Sequence, residues 1–242
     1  MKILDFDIEK GVYHFEVDKL ESAFHAHPVY ECVWVQKGHF QLESRNKVYP
    51  KLQFAIIPPN LPHKIQAEHA AHLLLLKAHN EKLGNFIRAK GYAFEQEILG
   101  SKQSQNHPEF MTELKAFARE TDLHSTHDAR VNTTLQILEN TNLTYQEMSR
   151  ELRAKVFLSE SRLSHLFKQH IGISLKKYLL WMKLNHAIAH LLREQEGLTD
   201  AGFQSGFYDQ AHFSKAFKEM LGMAPSKAYN SRSLQFYGRK TP

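Results

Sequence analysis

The sequence predicts an α+β chain of more than one domain: a small barrel or sandwich of short strands, followed by an all-helical half. Short alternating runs recur between turn residues over positions 1–80, the sign of a small all-β unit. A capped helical unit occurs twice between Leu158 and Tyr229, about 50 residues apart. The net positive charge lies in the half that carries the repeat. Residues 128–242 hold 16 Lys and Arg against 10 Asp and Glu, a net of +6, while residues 1–127 hold 15 against 16, a net of −1. At 242 residues, two domains are the ordinary expectation.

The expected strands are Ile3–Ile8, Val12–Val17, Tyr30–Val35, His39–Glu43, Phe54–Ile57 and His72–Lys77. Gly11, Lys37-Gly38, Arg45-Asn46 and Pro58-Pro59-Asn60 punctuate them. Phe24, Tyr30, Trp34, Phe40 and Phe54 are expected to be core residues or the apolar wall of a small-molecule pocket. His25 and His27 are two apart, so an extended chain places both on one face. Glu31 follows, and His63 comes after the turn Pro58–Pro62. The pattern H-x-H-x3-E-x6-G, then P-x-N-x2-H, resembles the two cupin motifs, with Asn60 replacing the usual Gly. That resemblance implies a cupin-like effector-sensing barrel over residues 1–80. His25, His27, Glu31 and His63 would then supply the ligands for a divalent metal, Zn, Ni, Mn or Fe. The same four side chains can instead line a polar effector pocket without a metal, or hold loops by hydrogen bonds.

Residues 81–122 turn helical. Asn85–Lys90 reads as a short helix ended by Gly91, Ser101–Asn106 as a loop, and Pro108–Glu120 as a helix. Phe110, Met111, Leu114 and Phe117 form a stripe on the last of these, to pack on the barrel or to meet a second copy. Thr121–Asp128 reads as a linker. The domain over 128–242 begins with a helix at Val131–Leu138, and Thr144 with Glu147 makes a capping box for the next.

In the first repeat, Ser159 caps a helix whose inner face is Leu163, Leu166, Phe167 and His170. In the second, Asp209 caps a helix whose inner face is Phe213, Ala216 and Phe217. Gly172 and Gly222 stop them. Between them Ser174–Glu194 has no Pro or Gly and reads as one long helix, with Tyr178, Leu179, Met182, Leu184, Ile188, Leu191 and Leu192 along it. A rod of roughly 30 Å is matched to the ~34 Å between successive major-groove faces of a duplex.

Leu158–Tyr229 resembles the DNA-binding domain of the AraC/XylS-type bacterial transcription regulators. The resemblance rests on Leu158-Ser159, Ser161–Phe167, Gly206-Phe207, Asp209-Gln210, Phe213-Ser214, Phe217-Lys218, Gly222, Pro225 and Tyr229. It implies two helix-turn-helix units joined by a linker helix and reading adjacent major grooves of promoter DNA. Carried over by position, Ser161, Ser164, His165, Gln210, Ala211, His212 and Lys215 face bases, and Arg162, Lys168 and Lys218 face phosphates. Gly202 stands where the family usually has Ala, and Lys183 where it often has Arg. The resemblance also favours a homodimer formed through the helix at Pro108–Glu120.

Several classes are disfavoured. No segment reaches the ~18 apolar residues of a membrane span, and the start, Met1–Asp7, turns acidic at once, unlike a secretory leader. Cys32 is the single cysteine, which fits a reducing cytoplasm. The expectation is a cytoplasmic transcription regulator, not an enzyme, modulated by a small molecule or metal. RNA polymerase is a further partner if it activates. A regulator whose barrel only dimerises and a metal-dependent cupin enzyme are the alternatives.

Overall fold

A computed structural model describes residues 1–77, 81–92, 98–101, 107–120, 128–139, 145–193 and 197–228. The chain forms two compact units. One comprises Met1–Ala78, Lys82–Thr121 and Phe217–Pro242, and the other His79–Glu81 and Asp122–Ala216.

The first unit is built on β1 (Lys2–Asp7), β2 (Val12–Val17), β3 (Leu20–Glu21), β4 (Val29–Val35), β5 (Phe40–Ser44), β6 (Val48–Leu52), β7 (Phe54–Ile57), β8 (His63–Ala67), β9 (Ala71–Lys77) and β10 (Leu99–Ser101). A six-stranded sheet has the order β1-β2-β9-β4-β7-β10, and a four-stranded sheet the order β3-β8-β5-β6. Neighbours are antiparallel throughout. The six expected strands are present within two residues of their expected ends.

Four strands were not foreseen. β6 lies at a sheet edge, mostly exposed and interrupted by Pro50, which an edge tolerates and a sequence pattern hides. β8 alternates well but follows a proline-rich turn. β3 is two residues long. β10 pairs with β7 through Leu99↔Ile56 and includes Ser101, which was expected in a loop.

Helix α1 (Glu81–Ala89) starts four residues before its expected Asn85, and α2 (His107–Glu120) runs close to its expected span. Both cover the six-stranded sheet. Val12, Cys32, Trp34, Phe54, Ile56, Leu74 and Leu76 of the sheet pack with Leu83 and Ile87 of α1 and Phe110, Met111, Leu114 and Ala118 of α2. Full burial of one such large side chain contributes about 1.5–3 kcal/mol. The apolar stripe offered for dimerisation is therefore covered by the chain's own sheet. Thr112, Glu113 and Ala116 make up part of the face of α2 that remains exposed. Among the aromatics expected inside, Trp34, Phe40 and Phe54 are buried, Tyr30 is partly buried, and Phe24 is exposed.

A polar cluster lies on this covered face. The register Glu16↔His72 and Trp34↔His72 brings β2, β9 and β4 together there. His72 stacks on Trp34 at 4.8 Å, and His14 is 5.2 Å from Trp34. Lys115 Nζ of α2 donates to His14 Nδ1 at 2.7 Å, so His14 is neutral. Burial, helped by Lys115 and His72, lowers its pKa from 6.5 to about 3. The unfolded chain takes up this proton below pH 6.5 and the folded chain does not, so stability is full above that pH and lost towards pH 3. The loss at pH 5 is about 2 kcal/mol. His14→Gln, which keeps an acceptor for Lys115 and cannot protonate, should remove this part of the acid destabilisation. Urea midpoints of both proteins between pH 7 and 5 test it, and parallel profiles contradict it.

The second unit contains α3 (Ala129–Glu139), α4 (Tyr145–Val156), α5 (Glu160–Ile171), α6 (Leu175–Arg193), α7 (Leu198–Gln204) and the start of α8 (Gln210–Leu221), up to Ala216. The short α9 (Pro225–Ala228) belongs to the first unit. Thr144, residues 121–127 of the expected linker and the tail from Tyr229 lie outside the described residues. Ser159 caps α5 by accepting from Arg162 N at 3.4 Å, and Gly172 ends it with φ 85°. Asp209 caps α8 by accepting from His212 N at 2.7 Å.

α6 has 19 residues and is about 28 Å long. Tyr178, Leu179, Trp181, Met182, Leu184, Ile188 and Leu191 are buried along it, and both α5 and α7 rest on it. Phe167 of α5 meets Tyr178 edge-on at 5.4 Å. His170 is exposed, contrary to its expected place on the inner face, because it lies in the last turn of α5, beyond the stretch buried by Leu163 and Phe167.

Two backbone positions stand out. Phe157 follows α4 with φ 56°, a left-handed conformation that costs a bulky residue about 1–2 kcal/mol. Gly202 sits inside α7, and a Cβ there would lie 3.5 Å from Phe213 Cβ, an ordinary contact. Gly202→Ala should therefore stabilise the protein by about 1 kcal/mol, read as a higher melting temperature.

Candidate functional site

His25, His27, Glu31 and His63 come together in the first unit. Their ligand atoms all lie within 4.8 Å of one another, and all four side chains are buried. Each is delivered differently. Glu31 lies on β4, on the same face as Val33 and opposite Cys32 and Trp34. His63 opens β8. His25 and His27 lie before β4 rather than in a regular strand. His25 forms an isolated bridge to His63, with N–H to carbonyl bonds of 2.9 Å in both directions. Asn60 N–H donates to His27 O at 2.8 Å, with Asn60 at φ 64°. The left-handed backbone there explains why Asn can stand where the cupin pattern has Gly.

The hydrogen bonds fix the tautomers. Nδ1 of His25 lies 3.0 Å from Ala23 O, that of His27 3.1 Å from Val29 O, and that of His63 2.8 Å from Leu61 O. A backbone carbonyl only accepts, so each Nδ1 carries the proton and each neutral ring presents Nε2 as a lone pair. Yet Nε2 of His27 and of His63 lie 3.1 and 2.8 Å from Glu31 Oε2. Neutral rings would turn lone pairs toward a carboxylate, so each close approach needs either a proton on Nε2, which then donates to Glu31, or a cation between them.

Burial alone would raise the Glu31 carboxyl, but the bonds to His27 and His63 outweigh it and hold it well below the usual range. Burial, with the neighbouring His63, lowers His25 to about 3. A neutral His25 with an available Nε2 is the form that ligates. Imidazoles anchored through Nδ1–H to carbonyls and aimed by Nε2 at a carboxylate fit a divalent metal. Burial pushes the thiol of Cys32 up, which makes it inert packing rather than a ligand.

In the helical half, Ser161, Arg162, His165, Lys168, Gln210, Ala211, His212, Lys215 and Lys218 are exposed, and Ser164 is half-buried. Gln210 Oε1 accepts from Thr199 Oγ1 at 3.2 Å, and His212 lies edge-on to Phe207 at 5.3 Å. Lys183 does not join this surface: its Nζ donates to Gly206 O at 2.9 Å, tying α6 to the turn before α8. The His14–Trp34–His72 cluster and exposed Phe157 were not anticipated. Only the latter had a local sign, an aromatic directly before a capped helix.

Residues 152–231 match the family described as a helix-turn-helix domain. The arabinose operon regulatory protein of Salmonella typhimurium is 32% identical over 105 residues, which are 43% of this chain and 37% of that protein. The transcriptional activator RhaS of Enterobacter sp. is 36% identical over 108 residues, 44% of this chain and 38% of that protein. The matches thus span less than two fifths of these curated relatives.

Among solved structures, ToxT from Vibrio cholerae aligns with a TM-score of 0.54 at 14% identity, covering 90% of this chain and 95% of that one. ToxT bound to an unsaturated fatty acid aligns with a TM-score of 0.54 at 13% identity, over 90% and 93%. At such identity the likeness shows a shared fold. By the family match, residues 152–231 form a helix-turn-helix domain. The proteins that the chain resembles over this segment are transcription regulators. Among the described residues no helix is long and apolar enough to cross a membrane.

Proposed function

We propose that the chain is a sequence-specific transcription regulator. In this reading α4–α5 and α7–α8 are two helix-turn-helix units, and α6 sets their spacing. The observation that carries it is the matched segment 152–231, whose two capped helices turn Ser161, His165, Gln210 and Lys215 outward while Leu163, Phe167, Phe213 and Phe217 are buried. The positively charged half then meets the phosphates, and the helix faces meet base edges.

We further propose that the first unit is cupin-like and that His25, His27, Glu31 and His63 hold a divalent metal or a small polar effector. Opposed lone pairs at Glu31 support the metal. A fatty-acid-bound structure of ToxT supports modulation by a small molecule. Bound in this site, a metal would take the place of the Nε2 protons and tie the segment before β4 to the start of β8. An effector regulates only if it favours one state of the protein over another through differential affinity.

His165→Ala and Lys215→Ala are each expected to weaken specific binding by about 1–3 kcal/mol. Fluorescence anisotropy on a duplex that the wild-type protein selects from a random pool checks this. Unchanged affinity in both variants would falsify the assignment of the reading faces.

A further inference from the structure

The turns that lead into α5 and α8 each leave one aromatic ring in solvent. Phe157 is 87% exposed and Tyr208 is 84% exposed. Phe157 is the more demanding case. Its N–H bonds Arg153 O at 3.1 Å, which places it just past the end of α4 in the left-handed position that glycine fills without strain. A phenyl ring here strains the backbone and gains no packing inside the fold. Nor does it follow a packing rule shared by both turns. Before α8 the left-handed position is held by Gly206, φ 78°, and the aromatic after it, Phe207, is buried edge-on to Phe213 at 5.3 Å.

The surroundings of Phe157 are charged. Arg153 and Lys155 form the basic last turn of α4, and Arg162 lies in the first turns of α5. Glu151 holds Lys155 at 2.6 Å, and Glu160 is the one acidic residue of α5. An exposed ring between two helix ends that carry Arg153 and Arg162 suits a polyanion that shows apolar surface between its charges. Duplex DNA is such a partner, with deoxyribose edges and thymine methyls set among phosphates.

We propose that Phe157 is an apolar DNA contact, seated on the groove wall where α5 enters, with Tyr208 in the same role before α8. This rests on the DNA-binding reading above. The test uses the full-length protein, the duplex selected by the wild type, and Phe157→Gly. The variant should melt at the same or a higher temperature, yet bind about tenfold more weakly. The slope of log K against log salt should not change, because the ring neutralises no phosphate.

Wild-type affinity in Phe157→Gly overturns the proposal and leaves the DNA-binding reading intact. Unchanged affinity with lost transcriptional output also overturns it, in favour of a protein partner. A wild-type protein that selects no duplex at all removes both readings together.

Discussion

Adding Zn²⁺ or Ni²⁺ to chelator-treated, untagged protein is expected to raise its melting temperature by about 10 °C. The basis is linkage: an ion a thousandfold above its Kd stabilises by about 4 kcal/mol, and a chain of this size gains roughly 2–4 °C per kcal/mol. The site is buried and its three imidazoles are already anchored through Nδ1, so little reorganisation opposes loading. Glu31→Gln separates a metal from a hydrogen-bonded pocket. The amide loses the charged ligand, so the metal-dependent shift should shrink to a few degrees. Without metal, its NH2 can donate to the Nε2 lone pairs of His27 and His63, so the variant should be at least as stable as the metal-free wild type. No shift with any divalent ion, together with a destabilised Glu31→Gln, would leave a polar lining held by protons. Differential scanning fluorimetry with metal analysis reads both outcomes.

Phe167→Ala should cost about 3–5 kcal/mol. Phe167 is fully buried and meets Tyr178 edge-on, joining α5 to the rod α6. Its removal leaves a cavity under the helix proposed to read DNA. Selected-duplex affinity should fall with stability, although the side chain cannot touch DNA. Phe167→Leu, which fills much of the space, should recover most of both. Full affinity in Phe167→Ala would mean that α5 does not need its seat on α6.

Local signals were the legible ones. Ser159, Asp209, Gly172 and Gly222 mark helix ends by their own chemistry, and the reading faces follow from helical periodicity. His25, His27, Glu31 and His63 were visible because three of them lie within seven residues and the fourth follows a distinctive turn. The cluster of His14, Trp34 and His72 was not, since it depends on the register of three strands far apart in sequence. The same limit hid β10, which pairs with a strand some forty residues earlier. The stripe on α2 was visible, but periodicity cannot say what covers a stripe, and here the chain's own sheet does. His170 fits the wheel and not the structure for a similar reason: a wheel does not know where the covering surface stops.

Hydroxyl-radical footprinting of the full-length protein on its selected duplex tests the central claim most directly. A rod of 19 residues between two helix-turn-helix units predicts two protected patches, about 10 base pairs apart, on one side of the DNA. A single protected patch, or two on opposite sides, would contradict it.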